Sequence, residues 1–215
     1  RDSTKLAENN DWPAALASSF AAAGAFPFAA ASRDAALQRS FVGAHTVQVT
    51  GTAGGVVLVE GYDADPSSAA RLVNLSARAS VGTGANVVIP GITVRGTKPK
   101  TLLIRAAGPA LAAFGVGGTL ANPVLGVFDA AGDRVLANDN WSEVPNLAEL
   151  RATTAAQGAF TLPEGSRDAA MLVTLPPGSY TVQVAGAGSG TAAQGVAIVE
   201  VYEADANPST LVNLS

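Results

Sequence analysis

Residues 72–81 read LVNLSARASV, and their opening string returns at the far end of the chain as LVNLS, 211–215. In the first copy Val73, Leu75, Ala77, Ala79 and Val81 share one face. Leu72, Asn74, Ser76, Arg78 and Ser80 share the other. Alternation sustained in this way predicts a strand with one buried face. A string that opens a strand at 72 and recurs at 211 also predicts a chain built from repeats.

Working outward, ENNDW (8–12) is matched by ANDNW (137–141), and SRDAAL (32–37) by SRDAAM (166–171). HTVQVTG (45–51) is matched by YTVQVAG (180–186), and VVLVEGYDAD (56–65) by VAIVEVYEAD (196–205). The blocks follow one order in both places, and their spacings differ by loop-sized amounts. The duplication is unequal, because 1–76 matches about 130–215 while 77–129 has no counterpart upstream. The expected organisation is therefore an incomplete unit over 1–71, a complete unit over 72–210 and a separate strand over 211–215.

Within the complete unit, NVVIPGITVRG (86–96), KTLLIRAAG (100–108) and PVLGVFDAAGDRVLAND (123–139) read as strands, the last a hairpin turning at Ala131-Gly132-Asp133. VPNLAELRATTAAQG (144–158) is the best short helix. DAAMLVTL, a turn at Pro176-Pro177-Gly178, SYTVQVAG, a Gly-rich loop at 186–190 and QGVAIVEVYEAD complete it. Short strands separated by Gly, Pro, Asn and Asp predict an all-β fold, a β-sandwich or jelly roll. The incomplete unit carries only the later strands, AALQRSFVG, HTVQVTG and VVLVEGYDAD, so an apolar sheet face there needs covering.

Composition narrows the function. The 215 residues are 48% hydrophobic and only 14% charged, which excludes a disordered chain. No apolar run approaches the roughly 18–20 residues of a membrane-spanning helix; AALASSFAAAGAFPFAAAS is alanine-rich and broken by Pro27. A net charge of −4 with scattered basic residues argues against nucleic acid. The absence of cysteine excludes disulfides, thiolate catalysis and Cys-based zinc sites.

No nucleophile elbow, phosphate loop or zinc-protease motif is present. The single histidine, His45, is replaced by Tyr180 in the second copy, which argues against a general base. No enzymatic activity and no obligatory cofactor are expected. Calcium is the one metal the sequence offers, since Asp129, Asp133, Asn138, Asp139 and Asn140 supply hard oxygens. The competing reading is that these residues form turns. Trp12 and Trp141 follow those turns at matched positions and read as core plugs. Glu60 and Glu200 lie inside apolar strands, where a buried carboxylate needs a cation. Arg105 in LLIRAAG is the natural partner of Glu200 as a structural ion pair, and the incomplete unit has no matching arginine strand for Glu60.

RLVNLSARASVGTG, KTLLIRAAGPALAAFGV and VLANDNW resemble a tandem Ala/Gly-rich β-sandwich repeat of large secreted bacterial surface proteins. LGVFDAAGDRVLANDN and LPPGSYTVQVAG are similar to bacterial pre-peptidase C-terminal domains. Both resemblances imply an extracellular or cell-surface, non-catalytic module, and neither carries a catalytic residue onto this chain.

These readings predict a structural subunit that assembles with copies of itself, head to tail, into a filament or surface array by β-strand complementation. Leu211, Val212, Asn213, Leu214 and Ser215 are the expected donor strand, with Val212 and Leu214 facing the acceptor core. Leu72, Val73, Asn74, Leu75 and Ser76 are the corresponding inter-unit strand, and segment 77–129 is a second candidate for exchange. The alternative is a piece of a tandem adhesin or binding module for glycan or calcium. A third is an accessory domain of a secreted hydrolase.

Overall fold

The computed structural model describes residues 4–65, 68 and 70–214, of which 212–214 as backbone. The chain divides into two compact units, Arg1–Ser68 and Ala69–Ser215.

Unit 2 is a β-sandwich of two antiparallel sheets. The four-stranded sheet has the order β2 (Asn74–Val81), β9 (Gly195–Glu203), β4 (Lys100–Ala107), β7 (Ala169–Leu175). Within the unit the five-stranded sheet runs β10 (Thr210–Leu214), β3 (Gly91–Arg95), β8 (Gly178–Gly186), β5 (Pro123–Phe128), β6 (Arg134–Asn138). A short helix, α2 (Leu147–Ala156), lies in the stretch where the sequence predicts one.

The alternation of each strand builds the core. On β4, Leu102, Ile104 and Ala106 enter the space between the sheets, where they meet Val199 and Val201 of β9 and Val182 and Val184 of β8. Leu103 and Ala107 point the other way, into a second cluster with Trp141, Leu150 and Tyr202 beneath α2. β4 is thus buried on both faces, which explains why its apolar residues fall on both, interrupted only by Arg105. The hairpin at 131–133 and the turn at 176–178 form where expected, the turn carrying the chain from β7 in one sheet to β8 in the other. At 131–133, Gly132 adopts φ +86°, and the Asp129 carboxylate accepts from the Ala131 and Asp133 amides. At 176–178 the Tyr180 hydroxyl closes the turn by donating to the Pro176 carbonyl, 3.0 Å.

Two expectations about the repeated string are corrected. β2 begins at Asn74, and Val73, expected on the buried face, is 51% exposed; at the edge of the four-stranded sheet only Leu75, Ala79 and Val81 of that face are covered. Leu211–Leu214 also do not lack a place in their own unit. They pair antiparallel with β3, Leu211 opposite Val94 and Leu214 opposite Ile92, with a register shift between Leu211 and Asn213. The physical reason is a β3 edge that β8 leaves open and a buried anchor. Leu211 is 5% exposed, and its amide donates to the Glu203 carboxylate at 2.7 Å. Ser215 and the side-chain directions expected of Val212 and Leu214 lie outside the described residues.

In unit 1 a turn of 3₁₀ helix (Ala14–Leu16) leads into α1 (Ala17–Ala23), capped by Gly24 in the left-handed conformation. Trp12, Phe20, Phe26 and Phe28 pack as an aromatic cluster with ring centroids 5.3–6.0 Å apart. Of the three strands predicted here, only β1 (Gly61–Tyr62) is in strand conformation among the described residues. The reason lies in the repeat. In unit 2, β7 pairs with β4, β8 with β3 and β5, and β9 with β2 and β4. All four of those partners lie within 74–128, almost wholly in the segment that unit 1 does not duplicate.

Candidate functional site

The strand sequences of unit 1 present apolar side chains whose counterparts in unit 2 are core. Val47 and Val49 are 73% and 52% exposed, whereas Val182 and Val184 are both 0%. The same contrast separates Leu37 from Met171, Val57 from Ala197 and Val59 from Val199. Exposed aliphatic side chains grouped along successive segments mark an interaction surface more often than chance exposure does.

Local geometry shows that unit 1 is nevertheless a true copy. The Trp12 amide donates to the Asp34 carbonyl at 2.8 Å, as the Trp141 amide does to Asp168. The Asn9 side chain accepts from the Ala36 amide and donates to the Asp11 carbonyl; Asn138 repeats both bonds with Ala170 and Asn140. The Tyr62 hydroxyl donates to Glu60 at 2.9 Å, and the Tyr202 hydroxyl to Glu200 at 2.8 Å. What the sequence of unit 1 does not repeat is the segment 77–129, which makes further contacts in unit 2.

Those contacts are electrostatic as well as apolar. Arg105 is fully buried on β4, opposite Glu200 in the ladder with β9, and its Nε lies 3.1 Å from the Glu200 carboxylate. The contact is one of charge, because the angle does not make an aligned hydrogen bond and Nη2 has no protein partner. Nη1 donates to the Phe160 carbonyl at 2.7 Å, and the guanidinium lies 4.3 Å from the Phe160 ring centroid. Burial, and then the adjacent Glu200 charge, push the Tyr202 hydroxyl well above its ordinary pKa. Past the end of β4, the Asp168 carboxylate accepts from the Gly108 and Ala110 amides and from Ser166.

A second buried cluster gave no clear signal in the sequence. Lys100, fully buried at the start of β4, pairs with Glu203 at 3.1 Å and Asp205 at 2.9 Å, and Arg71 reaches Glu203 at 2.8 Å. Burial works to raise Asp205, but bonds from Lys100 and from the Thr101 and Asn207 amides hold it below the usual carboxylate range. The legible hint was a charged residue opening a largely apolar strand, but its carboxylate partners sit about a hundred residues away.

Four of the five proposed calcium ligands, Asp129, Asn138, Asp139 and Asn140, are engaged in hydrogen bonds within the protein. Asp129 serves the hairpin amides, Asn138 bonds Ala170 and Asn140, and Asn140 bonds Asp139. Among the described residues no group of three or more Asp, Glu or His side chains is placed to hold a metal ion. Trp141 is 2% exposed and plugs the cluster beneath α2. His45 is exposed and its Nε2 lies 3.0 Å from the Val42 carbonyl. No helix among the described residues is long and apolar enough to cross a membrane. The chain matches no protein-family model and no curated protein.

Proposed function

We propose that this chain is a non-enzymatic structural module of the bacterial extracellular or cell surface, which assembles head to tail with copies of itself by strand complementation. The observation that carries this reading is the exposure of Val47, Val49, Val57 and Val59 in unit 1, at repeat positions that are core in unit 2. Leaving several such side chains in water forgoes roughly 1.5–3 kcal/mol each, a large loss against the stability of a domain.

The repeated string supports a head-to-tail order. Its first copy places Asn74, Leu75 and Ser76 opposite Tyr202, Val201 and Glu200 on β9, in the four-stranded sheet. Its second copy lies on β3, in the five-stranded sheet. One string thus serves to end one kind of sheet and to begin the other. In a neighbouring molecule the second copy would bring Asn213 and Leu214 opposite Tyr62 and Gly61, extending the assembly by a heterologous contact. The sequence resemblance to tandem secreted repeats supports the extracellular setting.

The test is electron microscopy and sedimentation of the purified chain beside a Val57→Asp/Val59→Asp variant. Both residues are exposed in the single chain, so unit 2 folds unchanged. Filaments lost in the variant support the reading. A wild-type chain that stays monomeric refutes it.

A further inference from the structure

We propose that Lys100 and Asp205 condense within the folded chain to an amide, an intramolecular crosslink for which Glu203 carries the proton. The proposal concerns unit 2 alone and is independent of the assembly read above.

Lys100 opens β4, and its side chain is wholly shielded from water. Its Nζ lies 2.9 Å from Asp205 Oδ1, with the carboxyl carbon one bond further on, and 3.1 Å from Glu203 Oε2. Groups held this way gain effective molarities of roughly 10⁵–10⁸ M over free partners, which favours a condensation that bulk water opposes. The electrophile is fixed on both oxygens. Oδ2 accepts from the Thr101 amide and from Asn207 Nδ2, and Oδ1 accepts from the Asn207 amide at 3.1 Å. Glu203 is fixed as well: its Oε1 accepts from the Leu211 amide, and Arg71 lies 2.8 Å from its Oε2. The Arg71 charge favours the ionised base, while Oε2 itself is buried without an aligned hydrogen bond and is free to take a proton. The Lys5–Glu8 pair, by contrast, is exposed on both sides, where water competes.

The resting pair is ionic, and the reactive pair is neutral. Asp205 Oδ1 takes one proton from the Lys100 ammonium, which leaves an amine beside a carboxylic acid. The Nζ lone pair adds to the carboxyl carbon, and negative charge gathers on Oδ2 between the Thr101 and Asn207 donors. Glu203 Oε2 then removes a second proton from Nζ and delivers it to the departing Oδ1 hydroxyl. The bond from carbon to Oδ1 breaks, water leaves, and Glu203 is again a carboxylate. One ammonium and one carboxylate become one amide and one water, with nothing oxidised or reduced. The Asp205 side chain is 25% exposed, so the water has a way out. The new bond ties the start of β4 to the segment that carries the chain from β9 to β10. It consumes the Asp205 carboxyl, so the acid titration of that group belongs to the unlinked chain.

The test is the intact mass of the purified full chain, incubated folded and denatured before each measurement. The expected mass falls below that of the sequence by one water, and proteolysis releases a branched peptide joining Lys100 to Asp205. The branched peptide decides, because a succinimide elsewhere would lose water too. Asp205→Ala should keep its full mass, and Glu203→Gln should slow the loss at least about 100-fold, with circular dichroism showing that each variant is folded. A wild-type chain that keeps its full mass after prolonged incubation overturns the inference, whether or not the variants fold. So does water loss mapped to other residues, or an unchanged rate in folded Glu203→Gln.

Discussion

Val182 and Val47 occupy the same place in the repeated string, yet one is fully buried and the other 73% exposed. Replacing each by alanine measures what completion of the sandwich is worth. Val→Ala removes two methyl-sized groups, worth about 1.6 kcal/mol of transfer free energy at about 0.8 kcal/mol each. At Val182 the removed atoms sit between β3 and β5 among Val127, Ile92 and Val184, so a cavity adds to this and the total is about 2–3 kcal/mol. At Val47 only about a quarter of the side chain is covered and water fills the gap, which leaves about 0.4 kcal/mol. The assay is urea unfolding followed by far-ultraviolet circular dichroism under dilute, unassembled conditions. With a slope of about 2 kcal/mol per molar urea, Val182→Ala should lower the midpoint by about 1 M and Val47→Ala by about 0.2 M. Equal shifts would refute the reasoning, because they would mean that Val47 is packed in the isolated chain as Val182 is.

Removing one member of the buried pair, Arg105→Met, should cost about 3–5 kcal/mol by leaving Glu200 uncompensated, and adding Glu200→Gln should recover part of it; a double-mutant cycle in urea checks this. Because Asp205 is held below its unfolded pKa of about 3.9, the unfolded chain binds more protons there. Its contribution is fully present above that value and is lost as pH falls through the lower folded pKa. Asp205→Asn should therefore flatten the acid limb of the stability–pH curve below about pH 4. Leu211→Ala should destabilise unit 2 by about 2–3 kcal/mol, because that side chain belongs to the sandwich core; an unchanged urea midpoint would mean that β10 does not stay on β3 in solution.

Periodicity and repetition alone determined most of the strand and turn pattern of unit 2. The strands β4, β8 and β9, the turn residues at 131–133 and 176–178, and the helix within 144–158 were legible because each is set by neighbours in sequence. The need of Glu200 for a cation, and the choice of Arg105, were also legible, since a carboxylate in an apolar strand is costly anywhere. Three things waited for the tertiary structure. Lys100, Glu203 and Asp205 became a cluster only when β4 and β9 met, because no short-range pattern encodes a contact across a hundred residues. The Asp129 carboxylate turned to the amides of its own hairpin and the Asn138 oxygen to the Ala170 amide of β7, a matter of backbone direction that composition does not carry. Finally, the string LVNLS, nearly identical in context at 72 and 211, took two different neighbours. A strand's own sequence sets which side chains alternate, but its partner is whichever edge the rest of the fold leaves open.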